Sequence, residues 1–147
     1  MATANPSTVQ FDMPPAMVWP TTRPRIAWLQ DALRQLDAIE RLPSGWDSQG
    51  GDVPDPRIVD GARVLLLALA VAHDSLAKPE INPTPSGGVQ FHWESGPRYF
   101  EIELVDHHSA RFYFVDRTGK TETGGDLHVG DSLAQVVELA CAVAVQP

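Results

Sequence analysis

Apolar and polar residues alternate through Val89-Gln90-Phe91-His92-Trp93-Glu94, then Tyr99-Phe100-Glu101-Ile102-Glu103-Leu104, then Ala110-Arg111-Phe112-Tyr113-Phe114. A period of two marks half-buried strands, because successive side chains leave a strand on opposite faces. Val89, Phe91, Trp93, Phe100, Ile102, Leu104, Ala110, Phe112 and Phe114 share one face, which needs cover. Gln90, His92, Glu94, Tyr99, Glu101, Glu103, Arg111 and Tyr113 share the other, which meets water or a partner. A hairpin turn over 116–120, with Gly119 supplying positive φ, leads into a short polar strand over 120–123 with the character of an edge.

Elsewhere the period is that of a helix. Ile26, Leu29, Leu33, Leu36 and Ile39 make one stripe of a first helix over 23–41, with Thr22 as its N-cap, Pro24 in its first turn and Pro43 ending it. Asp55 and Pro56 start a second helix that ends near His73, with Ile58, Ala62, Leu65, Leu69 and Ala72 inward. Val64, Leu66, Leu67 and Val71 spread apolar surface around it, so it is expected to be covered on more than one side. Asp131 caps a last helix reaching Ala144, with Leu133, Val136, Val137, Ala140 and Ala144 buried. The segment 78–88, with Pro79, Pro83 and Pro85, reads as a semi-rigid connector. Helices set apart from a meander define an α+β fold: two N-terminal helices, three to four antiparallel strands and a C-terminal helix, with the helices on one sheet face. Residues 1–22 form a Pro-rich arm carrying Phe11, Met13, Met17, Val18 and Trp19, and 23–147 form one domain.

Composition narrows the function more by exclusion than by assignment. The 147 residues carry a net charge of -8, which opposes binding to a phosphate backbone; a solvated acidic surface that keeps the protein in solution accounts for it, and a basic partner surface is the alternative. One cysteine, Cys141, excludes an internal disulfide framework and fits a reducing compartment. Val64–Ala72, the longest apolar run, is under half of the roughly 20 residues a membrane span needs. With no basic, apolar leader at the N-terminus, the expected location is the cytoplasm, with no membrane or nucleic acid as partner.

Two short segments carry a family likeness. Leu42-Pro43-Ser44-Gly45-Trp46-Asp47 and Pro83-Thr84-Pro85-Ser86-Gly87-Gly88, with Trp93 in the strand that follows, resemble a recurrent signature of small uncharacterised bacterial proteins. The likeness spans Leu42 to Trp93 and brings no activity with it; the family usually has Ala where this chain has Gly51. Trp46 offers a large apolar body to plug the gap between the first two helices, and Asp47 can fix the loop by accepting backbone N–H groups.

The chemistry-bearing residues gather on the polar strand face. His92 near Glu101 or Glu103 is the pattern of a general base or a metal site, and ordinary cross-strand pairing accounts for the same residues. Asp106, His107 and His108 sit at a turn tip, where adjacent His in an extended chain point apart; Asp126 and His128 could join them. Phosphate-loop, dinucleotide, His-Glu-x-x-His, Cys-x-x-Cys and Gly-x-Ser-x-Gly patterns are missing. The leading expectation is a non-catalytic protein-binding module, accessory, antitoxin-like or immunity-like, without cofactor. Its surface would comprise Trp46, Asp47, His92, Tyr99, Glu101, Glu103, Arg111 and Tyr113. Two other readings stay open: a small hydrolase or metal-dependent enzyme working on the polar face, and an acidic mimic of nucleic acid. The face and its edge strand are also compatible with a homo-oligomer.

Overall fold

The computed structural model describes residues 24–73, 75–128, 131 and 134–144, with the backbone alone at 24–27 and 144. The arm over 1–22, the Thr22 cap and Leu133 lie outside the described residues. Among the described residues three helices, α1 (Pro24–Glu40), α2 (Pro56–Ala72) and α3 (Ala134–Ala144), accompany five strands. The strands are β1 (Glu80–Pro83), β2 (Val89–Ser95), β3 (Arg98–Leu104), β4 (Ser109–Asp116) and β5 (Thr121–His128). They form one antiparallel sheet in chain order. The fold is α+β, with more strand than the three to four expected.

Two segments depart from expectation. The connector over 78–88 contains β1, whose Glu80, Ile81, Asn82 and Pro83 pair with His92, Phe91, Gln90 and Val89. Proline is tolerated there because it ends an outermost strand. The short fourth strand is instead the eight-residue β5, registered against β4 from Thr121 opposite Asp116 to His128 opposite Ser109. Two glycines hide it from a periodicity search, yet they suit it: a Cβ on Gly125 would lie 3.1 Å from the Phe112 ring, which rests where a side chain would stand. In the turn before β5 the left-handed residue is Lys120, at φ 53°, rather than Gly119.

The apolar strand face is the floor of the core. Val89, Phe91, Trp93, Phe100, Ile102, Leu104, Phe112 and Phe114 are buried in one cluster with Leu36 of α1, Leu66 and Leu69 of α2, and Val136 of α3. In α1 the buried line runs through Ala32, Leu36 and Ile39, with Leu29 and Leu33 half-buried beside it. In α3 the buried line runs through Val136, Ala140 and Val143, and the Ala144 side chain lies outside the described residues. Trp93 stacks on Phe100 with ring centroids 5.7 Å apart. The indoles of Trp28 and Trp93 donate to the carbonyls of Leu76 and Ala77, pegging the chain that leaves α2.

Asp55 caps α2 by accepting the Arg57 N–H at 2.9 Å. Arg63 ties the α1–α2 pair together, reaching Asp37, Glu40 and Asp60 at 2.7 Å each. Those carboxylates, Glu40 foremost, hold its guanidinium well above the ordinary arginine range. α2 is covered by α1 and the sheet, but its third side is open: Val64 and Val71 are 66% and 75% exposed, and Leu67 stands beside them.

Candidate functional site

The register converts the polar strand face into rows. Glu80, His92, Glu101, Tyr113 and Gly124 stand across the five strands in one row, and Asn82, Gln90, Glu103, Arg111 and Asp126 in the next. A third row holds Glu94, Tyr99, Val115 and Glu122. Six carboxylates, those of Glu80, Glu94, Glu101, Glu103, Glu122 and Asp126, therefore share a sheet face on which the strands place one arginine, Arg111.

The face is knitted internally. Glu101 accepts from Gln90 Nε2 at 3.0 Å and from the Tyr99 hydroxyl. Partial burial, followed by the bond to the Glu101 carboxylate, raises the Tyr99 pKa far above the ordinary phenol value, so the hydroxyl remains a donor. Tyr113 is raised too, first by desolvation and then by Glu122. Arg111 meets Glu103 at 3.3 Å, and Arg117, from the β4–β5 turn, meets Glu94 at 3.5 Å.

His92 stands directly across from Glu101 in the register, but its Nε2 turns to Glu80 at 3.2 Å. Its ring lies 5.6 Å from that of Tyr99, and its Nδ1 is buried with no partner among the described residues. The His–Glu101 or His–Glu103 dyad that an enzyme reading needs is not assembled, because Glu101 is held by Tyr99 and Gln90, and Glu103 by Arg111. Glu80, which does meet His92, escaped the sequence reading because β1 did.

At the far end of the sheet the chain bends over 106–108 rather than running extended, and the His107 and His108 rings lie side by side with centroids 3.7 Å apart. Asp106 fixes that bend by accepting from the His108 N–H and the Ser109 hydroxyl at 2.7 Å each, the hydroxyl foremost in holding its carboxyl below the usual range. Among the described residues no three His, Cys, Asp or Glu side chains converge as a metal-holding group. Cys141 is half-buried on α3, and desolvation pushes its thiol up, away from the thiolate a nucleophile requires. The same end carries a groove of about 350 Å³ between α2 and the β3–β5 ends, lined by Val64, Leu65, Ile102, Leu104, Ala110 and Leu127 and rimmed by His107, His108 and His128. Sequence reasoning missed it, since no local pattern tells which helix ends beside which strand.

The loop before α2 is a scaffold. Asp47 accepts from the N–H groups of Gln49 at 3.0 Å and Gly51 at 2.7 Å, which lower its pKa. A Cβ at Gly51 would sit 2.7 Å from that carboxylate, so glycine suits this position of the loop. Trp46 does not plug the gap between helices: its indole donates to the Asp52 carbonyl at 2.9 Å, spanning its own loop. The loop then joins the second motif. Asp52 N–H donates to the Pro85 carbonyl and Asp55 N–H to that of Gly87, while Gly88 N–H is held by Thr84 Oγ1. The segments Leu42–Asp47 and Pro83–Gly88 thus belong to one joint between the helical hairpin and the sheet. Comparison of the chain with family models, with curated proteins and with solved structures gives no match.

Proposed function

We propose that the chain is a non-catalytic module that binds another protein through the open, acidic face of its sheet. The observation that supports this reading is the row structure: six carboxylates on one sheet face that no helix covers among the described residues, five of them engaged with tyrosines, an amide, a histidine and arginines. Such a face favours a basic partner surface, for which opposed potentials give orientation and fast encounter. Tyr113, Arg111 and Glu103 stand toward its middle, where interface aromatics and arginines contribute most.

The test is capture of host proteins on the immobilised chain. Glu103→Lys and Tyr113→Ala alter the sheet face, and Val71→Ser alters the exposed side of α2. A partner retained by the parent and by Val71→Ser, but lost from both face variants, is the expected result. A partner lost only from Val71→Ser would move the interface to the helices, and retention by all three would remove the sheet face from consideration.

A further inference from the structure

The backbone groups along the outer side of β5 can be assigned from the register. The Val105 N–H donates to the Ser109 carbonyl and the Arg117 N–H to the Pro97 carbonyl, both at 3.1 Å. These bonds continue the β3–β4 register, which makes Glu103 with Arg111 and Glu101 with Tyr113 the hydrogen-bonded pairs. Bonding direction alternates along a strand. Ala110, Phe112 and Phe114 therefore turn their peptide groups toward Leu127, Gly125 and Thr123 of β5. Glu122, Gly124, Asp126 and His128 turn theirs away from the sheet.

His128 is already satisfied: its N–H donates to Asp131 Oδ2 at 2.7 Å and its carbonyl accepts from the Asp131 N–H at 3.0 Å. That leaves Glu122, Gly124 and Asp126, all exposed, with no strand on their outer side among the described residues. Natural edges are usually blunted by charged side chains, Lys above all, by Pro, by a bulge or by shortness, and of these β5 has only the acidic pair Glu122 and Asp126. β5 has no Lys, Arg or Pro, and its eight residues stay in uninterrupted register with β4.

We infer that the outer edge of β5 accepts an extended segment of a partner protein, bearing two basic side chains four residues apart with a bulky one midway, as a sixth antiparallel strand. The inference rests on the protein-binding reading above and specifies the partner's chemistry. Main-chain bonds to Glu122, Gly124 and Asp126 hold the segment, as in other cases of strand addition. The two cations stand opposite the Glu122 and Asp126 carboxylates, the favourable arrangement for a cross-strand pair. Between them Gly124 has no side chain, and the Tyr113 ring beside it, 3.7 Å from where a Cβ would be, receives the bulky group. A second copy of this chain fits less well. The two-fold register that engages all three outward residues centres on Gly124 and sets Glu122 against Asp126 on both sides.

The probe is the capped peptide Thr-Thr-Lys-Thr-Tyr-Thr-Lys-Thr-Thr, titrated into the full chain by fluorescence anisotropy. Glu122→Lys with Asp126→Lys, both exposed positions, is expected to weaken its binding by about tenfold or more. N-methylation of the Lys and Tyr amides, which would face β5, is expected to abolish binding, whereas N-methylation of the inner Thr amides leaves it intact. Equal tolerance of both methylation patterns would overturn strand addition, as would no binding of the parent peptide. Self-association of the chain that the double Lys variant abolishes would assign the edge to a second copy and also overturn the proposal. If the captured partner still depends on Glu103 and Tyr113 while the peptide ignores the edge, this inference fails and the protein-binding reading stands.

Discussion

Phe100→Ala is expected to lower the stability of the fold by about 3–5 kcal/mol, the usual range for emptying a fully buried phenylalanine site. Phe100 is 0% exposed and stands between Trp93 of β2 and Phe114 of β4 in the register, at the centre of the apolar sheet face. The two flanking rings, Trp93 and Phe114, cannot collapse onto the space, because each is held by its own strand and by the helices above. Removing the ring also strips the stacked partner from Trp93, whose indole bond to the Ala77 carbonyl pegs the segment before β1. Urea unfolding followed by tryptophan fluorescence reads both effects. A loss below about 1 kcal/mol would mean that this row is not the floor of the core.

The second large effect comes from a single methyl group at Gly88. A Cβ there would lie 2.5 Å from the Leu104 carbonyl oxygen and 2.8 Å from Thr84 Oγ1. The first neighbour is backbone of β3 and cannot yield without moving the strand. The second is the hydroxyl that accepts the Gly88 N–H and closes the turn between β1 and β2. Gly88→Ala is therefore expected to cost about 2–3 kcal/mol, at the upper end of overpacking effects. Gly61→Ala is the informative contrast. Its Cβ would meet the movable Leu104 Cδ2 methyl at 3.3 Å, and Ala is favoured over Gly inside a helix by about 1 kcal/mol, so the two effects should nearly offset each other. Chemical denaturation of the pair checks both; equal stability of the two variants would contradict the packing of β3 against the turn.

The parts of the fold that sequence reading recovered are those whose signal is local. Alternation through β2, β3 and β4 fixed which residues line each face, and the structure buries Phe91, Ile102 and Phe112 while leaving Arg111 exposed, as the pattern requires. Asp55 and Pro56 located the start of α2 to the residue. β1 is not legible locally because three prolines in 79–85 speak for a connector, and only its pairing with β2 makes Glu80–Pro83 a strand. The full length of β5 is hidden for a related reason: Thr-Glu-Thr-Gly-Gly-Asp-Leu-His has no apolar alternation, and the Phe112 ring over Gly125 is supplied by another strand.

The site followed the same division. His92, Tyr99, Glu101, Glu103, Arg111 and Tyr113 do share one face, as the alternation implies. Their partners were not legible, since Glu80 and Glu122 lie on the two strands that the sequence obscured. Trp46 and Asp47 stand apart from that face, and their interactions are with their own loop. The two motif segments were each visible, but the bonds from Asp52 to Pro85 and from Asp55 to Gly87 join residues more than thirty positions apart, beyond the reach of any local pattern.

The binding surface depends on a sheet with one face under the helices and the other open. Thiol labelling at neighbouring positions of β4 reads that directly. In a Cys141→Ala background, Arg111→Cys should react with an aqueous maleimide at least about tenfold faster than Phe112→Cys, whose thiol is reached only through local opening. Equal rates, or faster labelling at Phe112, would contradict the two-faced sheet and the binding surface built on it.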